Sequence, residues 1–280
     1  MTLDAIPGSA GGAKKPGFSR MLLVVIILVV VVGAVVAASL FFGQSLSVTK
    51  KNFTPYSTPV SQSSTDPSWL TVANTNGGVT VSTWSQPNVM INGTVTARGF
   101  GSSPDAVTFV ESNSSGRITF QALFPSSNSL FGASYTVDIH VYAPSSYQFN
   151  TVQIVTANGN LQVPNINATS LSLIDTNGDI TASNIIAVGV AVDATNGNVM
   201  MDLSSVASGG AYSLTTTNGN INLTLPTVSS CRMTASTTNG SVSASGLGVQ
   251  LTNHIPVTLG SGGADVSLTT TNGSITVTGK

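Results

Sequence analysis

A single cysteine, Cys231, among 280 residues leaves no internal disulfide to staple the chain, so its fold must be held by packing and hydrogen bonds. A thiol nucleophile needs a neighbouring base or a positive field. Cys231 has no His near it, only the neighbouring Arg232, and reads as a small apolar side chain near a core. Histidine is almost as scarce: His140 and His254 stand far apart and read as surface or turn residues, not as ligands or bases. Charge is the third shortage, with Asp, Glu, Lys and Arg making up 7% of the chain. Beyond Lys51 the bases are Arg98, Arg117, Arg232 and Lys280 against nine acids, and four minus nine leaves −5. Phosphate neutralisation requires clustered Lys and Arg, so no nucleic-acid partner is expected.

What the chain has instead is one phrase repeated seven times. Two apolar residues stand six and four places before an Asn-Gly pair, and two more follow three and five places after the Asn, as in Leu171, Leu173, Asn177, Gly178, Ile180 and Ala182. The pairs are Asn76-Gly77, Asn158-Gly159, Asn177-Gly178, Asn196-Gly197, Asn218-Gly219, Asn239-Gly240 and Asn272-Gly273. Alternation with period two on both sides of a corner means strand, tight turn, strand, with Gly tolerating the positive φ of the turn. The chain is therefore all-β.

Successive Asn residues lie 82, 19, 19, 22, 21 and 33 apart. A unit of about 20 residues cannot bury its apolar face alone, so neighbours must stack into a β-solenoid with Asn-Gly corners. Isolated hairpins are the competing reading, because Asn-Gly is also a strong hairpin signal. The segment from Pro164 to Ser170 offers no regular second turn for such a meander. The stacked reading places Leu171, Leu173, Ile180, Val190, Val192, Val199, Tyr212, Leu214, Ile221 and Leu223 in one interior, and the corner asparagines in an amide ladder. The aromatic, irregular stretch from Val107 to Tyr147 would cover the N-terminal end. At the other end Val277 would be the last inward residue. That end would then be a contact for self-association, unless residues 247–259 fold back over it.

From Met21 to Phe42 there are 22 residues without a charge. As a helix at about 1.5 Å per residue they would cover the roughly 30 Å core of a bilayer. An uncleaved transmembrane helix fits better than a signal peptide, whose apolar core is about 7–15 residues, although cleavage after Ala38 remains open. The expected organisation is a cytoplasmic tail over 1–20, a span over 21–42, a Ser/Thr/Pro-rich stalk over 43–68, and an extracellular domain over 69–280. Seven sequons, at Asn52, Asn92, Asn113, Asn167, Asn222, Asn239 and Asn272, are candidates for glycosylation on that exported side.

Paired carboxylates would signal a glycosidase, yet Asp175, Asp179 and Asp193 are the only close acids in the repeats and no basic or His residue stands beside them. Asp179 shares a column with Asn160, Asn198 and Asn220, but a Ca²⁺ site wants several carboxylates, and turn chemistry explains the column. Threonines precede most corner asparagines, at Thr176, Thr195, Thr217, Thr238 and Thr271. The column two places earlier, Val155, Ile174, Asp193, Thr215, Ser236 and Thr269, is not a flat threonine lattice of the kind ice binding needs, and β-propensity explains the threonines. No catalytic residue, metal or cofactor is expected.

The runs from Trp69 to Val81 (WLTVANTNGGVTV), from Tyr135 to Pro144 (YTVDIHVYAP) and from Val152 to Val163 (VQIVTANGNLQV), followed by Thr-Asn-Gly units, resemble the adhesin-like toastrack family of β-solenoid domains over residues 69–280. The resemblance implies display on a bacterial or archaeal surface, with no catalytic residues carried over. It leaves three roles: binding to a surface glycan, envelope or protein ligand; sensing of envelope stress through a membrane partner; or assembly as a subunit of a surface filament or lattice.

Overall fold

The computed structural model describes residues 48–60, 69–99, 101–126 and 132–280. Among the described residues twenty strands follow one another: β1 (Val48–Asn52), β2 (Tyr56–Pro59), β3 (Trp69–Ala73), β4 (Val79–Trp84), β5 (Asn88–Arg98), β6 (Thr108–Ser114), β7 (Arg117–Leu123), β8 (Ser134–Pro144), β9 (Phe149–Asn158) and β10 (Leu161–Pro164). The second ten are β11 (Asn167–Asn177), β12 (Ile180–Asn196), β13 (Val199–Leu203), β14 (Ala211–Asn218), β15 (Ile221–Leu225), β16 (Cys231–Asn239), β17 (Val242–Ser245), β18 (Val257–Leu259), β19 (Asp265–Asn272) and β20 (Ile275–Gly279).

They form two faces of a flattened coil. The first runs β6, β7, β3, β9, β11, β12, β14, β19, β16, β18. The second runs β1, β5, β8, β4, β10, β12, β13, β15, β20, β17, with β2 beside β1 on β5. In the regular part each turn of chain lays a strand on the first face, crosses an Asn-Gly corner, and lays a strand on the second. β12 is long because one uninterrupted strand serves the second face at its start and the first face at its end. Parallel, in-register stacking aligns like with like, so Leu171 lies between Val152 and Val190. The ten inward residues named above are all buried. A one-residue slip would turn each of them to solvent.

Three expectations need correction. The stalk reading of residues 43–68 does not hold at Val48–Pro59: β1 pairs with Thr94–Arg98 and β2 with Asn88–Ile91, closing the outer edge of β5. Edge strands need little apolar content, which is why their composition read as linker. Phe53, between them, is buried. The unit that comes last in sequence is also not the last in space. β19 and β20 slot between β14/β15 and β16/β17, so Val277 is enclosed between Leu223 and Ala244. The outermost turn is the Asn239 unit, whose inward set of Met233, Ala235, Val242 and Ala244 is the less apolar of the two and fits an end. Residues 247–259 cover it: Leu251 and Leu259 are buried, Leu247, Val249 and Val257 partly so, and β18 pairs with β16. The case for self-association through Val277 therefore falls.

The third correction concerns the corner glycines. Gly77, Gly159 and Gly273 do have positive φ, at 112°, 150° and 159°. Gly178, Gly197, Gly219 and Gly240 do not, and there the constraint is crowding: a β-carbon on Gly197 would sit 1.9 Å from the carbonyl oxygen of Gly178. The corners stack backbone on backbone, leaving no room for a side chain.

The expected transmembrane helix over 21–42 and the tail over 1–20 lie outside the described residues. Among the described residues no helix is long and apolar enough to cross a membrane.

Candidate binding face

β14, β19 and β16 lie side by side and present one continuous feature on the outer surface. The outward residues of these strands are Ser213, Thr215 and Thr217; Ser267, Thr269 and Thr271; and Thr234, Ser236 and Thr238. Nine hydroxyl side chains occupy a three-by-three array, all exposed or half-buried. With about 4.8 Å between strands and about 6.7 Å between alternate residues, the array spans roughly 10 by 13 Å. No hydrogen bond ties any of the nine hydroxyls to another described residue. Hydroxyls donate and accept, so the array is a neutral, two-way hydrogen-bonding surface on a rigid sheet.

One border of the array is the amide ladder. Asn158 Nδ2 donates to Asn76 Oδ1 at 2.7 Å, Asn177 to Asn158 at 2.9 Å, Asn196 to Asn177 at 2.8 Å, Asn218 to Asn196 at 2.8 Å, Asn272 to Asn218 at 2.7 Å and Asn239 to Asn272 at 2.8 Å. All seven corner asparagines thus stand in one column, and the glycine after each forms a second. The opposite border is Ala211, Asp265 and Arg232.

A further column runs two places after the ladder. Asn160 Oδ1 accepts from the Asp179 N–H, Asp179 Oδ1 from the Asn198 N–H and Asn198 Oδ1 from the Asn220 N–H, at 2.8–3.0 Å. These oxygens are committed to backbone donors, which is turn stabilisation. Asp175 and Asp193 do not converge. Asp193 lies in register with Ile174 on the outer surface, whereas Asp175 is buried inward. Among the described residues no three His, Cys, Asp or Glu side chains group as metal ligands.

Cys231 is buried, and burial pushes its thiol up. His254 sits in a turn at φ 62°, its backbone N–H donating to Ala235. The sequons separate by the work their amides do. Asn239 and Asn272 donate within the ladder, Asn113 donates to Thr58, and Asn52 accepts from Thr94. Asn222 is exposed on β15, while Asn92 and Asn167 are half-buried.

Sequence reasoning missed a second corner. Asn165 and Asn184 have φ of 56° and 55°, and Asn184 Nδ2 donates to Asn165 Oδ1 at 2.7 Å, with Ser204 continuing the column. The signal was available, since Asn tolerates the left-handed region. Only two turns share it, too few to show as a repeat.

The model of the Toastrack DUF4097 family matches residues 70–278. The chain belongs to the toastrack family. Among solved structures, this toastrack domain is similar to a candidate cell adhesion protein from Clostridium sporogenes, at 12% identity and TM-score 0.51, covering 84% of this chain and 100% of that one. A candidate adhesin from Bacteroides fragilis also aligns at 12% identity, over 84% of this chain and 98% of that one, with a TM-score of 0.37. No curated protein matches the chain.

Proposed function

We propose that this toastrack protein is displayed on the cell surface as an adhesin-like, non-catalytic binding protein, anchored by residues 21–42 with its C-terminal domain outside. The hydroxyl array of β14, β19 and β16 is its contact surface. The array is the observation that carries this reading. It is uncharged and built on strands paired in register, and its hydroxyls make no hydrogen bond to another described residue. A polyhydroxylated ligand such as an envelope or cell-surface polysaccharide presents the same donors and acceptors in return. A neutral interface of this kind binds without electrostatic steering, so its affinity is insensitive to salt. The adhesion role given to the Clostridium sporogenes relative is consistent with the assignment.

The test is retention of the full chain on cells or on isolated envelope polysaccharide. Replacing Ser267 and Thr269 with Lys would place two charges at the centre of the array. Binding is expected to fall at least about tenfold, with the unfolding temperature unchanged and little dependence on salt in the parent protein. Binding that survives both substitutions removes the array from the contact surface.

A further inference from the structure

Two places before each ladder asparagine the chain turns a side chain inward at the rim of the core. In spatial order these are Asn74, Thr156, Asp175, Ala194, Thr216, Thr270 and Thr237. The threonines share one task. Thr156 donates to the carbonyl of Gly77 at 3.3 Å, Thr216 to Gly197 at 2.9 Å, Thr270 to Gly219 at 2.9 Å and Thr237 to Gly273 at 2.8 Å. Asn74 Nδ2 likewise donates to Gly77 at 2.9 Å. Each fastens its own turn of chain to a corner glycine carbonyl.

Asp175 occupies this position in its turn, where the matching carbonyl is that of Gly159. Its Oδ2 and that oxygen border the same spot: a β-carbon on Gly178 would be 2.4 Å from Asp175 Oδ2 and 2.5 Å from the Gly159 oxygen, which puts the two oxygens within 4.9 Å of each other. Asp175 is 2% exposed, its Oδ1 accepts from the Asn177 N–H at 3.2 Å, and its Oδ2 has no hydrogen-bond partner. A carboxylate only accepts, so an ionised Asp175 would leave a charged acceptor unpaired in a buried place, near a carbonyl that also only accepts.

Among the described residues no positive charge offsets this. The flanking strand β9 presents Thr156 and β12 presents Ala194, while β10 and the start of β12 bring Leu161 and Ile180. The charged groups nearby are both acids: Asp179 at the same corner and Asp193, which faces outward. No Lys, Arg or His occurs between His140 and Arg232.

We propose that Asp175 is a proton-operated clasp: as the neutral acid it donates from Oδ2 to the Gly159 carbonyl, in the manner of the threonines, and deprotonation opens that bond. The site thus binds a proton, and its occupancy decides how firmly the Asn158 and Asn177 turns are held together. Burial pushes the carboxyl up to about 6, the Asp179 charge pushes the same way, and the Asn177 and Thr176 N–H groups oppose it. A folded pKa raised above the unfolded value gives stability that is complete below the unfolded value of about 3.9 and is lost as pH rises through about 6.

The experiment is thermal unfolding of the full chain at about pH 4.5 and about pH 7.5, for wild type, Asp175→Asn and Asp175→Thr. Both variants supply a donor at every pH, and the column already accepts threonine elsewhere. At about pH 7.5 each variant is expected to unfold about 3–6 °C above wild type, with the gap closing at about pH 4.5. A gap independent of pH, or variants less stable than wild type at both values, overturns the proposal. Added Ca²⁺ that raises the wild-type unfolding temperature at about pH 7.5 but not that of Asp175→Asn also overturns it, by putting a cation where the proton is assigned. An NMR titration of the folded wild type gives a direct reading: a midpoint for the Asp175 carboxyl near 6 supports the clasp, and one near 4 defeats it.

Discussion

Between Phe149 and Lys280 the named strands stack parallel and in register, with the short β18 the lone antiparallel one. Between Val48 and Tyr147 four pairings are antiparallel, β1 and β2 on β5, β5 on β8, and β6 on β7. The parallel region sets each residue beside its equivalent, so a good choice made once is reused: one Asn, one Gly, one small inward side chain per turn. The antiparallel region sets unlike residues together and fills the space with rings. Phe53, Phe109 and Phe120 meet with centroids 4.5–5.5 Å apart.

The two regions nonetheless solve the same end problem alike. At one end β3/β4, the first turn with an Asn-Gly corner, is covered by the later β7 and β8. At the other, β19/β20, the last in sequence, is covered by the earlier β16 and β17. The 82- and 33-residue intervals are the two places where the chain leaves the stack to build a cover, so that the most apolar turns have neighbours on both sides.

The severest way to break this comparison is to end the chain after Ala264. β17 would lose its partner strand and β16 would keep only the short β18, and amide exchange should become fast over residues 226–264 while the Asn158 to Asn196 turns stay protected. Protection that persists from Met233 to Asn239 would mean this unit docks directly on β14, and that interleaving is not what holds it.

At the aromatic end, Phe120→Ala should cost about 3–5 kcal/mol in chemical unfolding, because a ring packed between two others leaves a cavity that rigid neighbours cannot close. A cost below about 1 kcal/mol would show the antiparallel cover to be dispensable. In the parallel stack, Gly197→Ala should cost about 1–3 kcal/mol, since its β-carbon meets the Gly178 carbonyl and two turns must part. Gly189→Ala is the internal control. It has no positive φ, its nearest contacts would be 3.9 Å, and the change should be neutral or stabilising by up to about 1 kcal/mol.

The sequence carried the phase of every strand in the repeats because period-two alternation around Asn-Gly assigns each side chain to a face before anything is known of its neighbours. It did not carry the order of the turns. Thr215, Ser236 and Thr269 sit in equivalent units, and equivalence is what makes them interchangeable as neighbours. Only the 33-residue interval hinted at the exchange. The hydroxyl array was unread for a different reason: it is confined to the three turns of β14, β19 and β16, and the same outward position in the earlier turns carries Ile174 and Asp193, so the full column looks mixed. β1 and β2 were unread because an edge strand can be as polar as a linker. Asp175 was visible as an acid near a corner, but its burial depends on which way the rim position faces.

The smallest effect separates the interior of the stack from its ends. Asn196 takes part in two ladder bonds, donating to Asn177 and accepting from Asn218, whereas Asn239 has one, its donation to Asn272. The ladder is exposed, so water replaces a missing amide and no buried group is orphaned. Each bond is then worth the lower part of the usual net range, about 0.5–1 kcal/mol. Asn196→Ala should cost about 1–2 kcal/mol and Asn239→Ala about half as much. If the bonds reinforce one another along the column, the interior substitution costs more than twice the terminal one, and the double variant, its sites separated by Asn218 and Asn272, departs from additivity. Equal costs at the two positions would show that the ladder reports the stacking of the turns without contributing to it, leaving the glycine column and the buried side chains as the source of register.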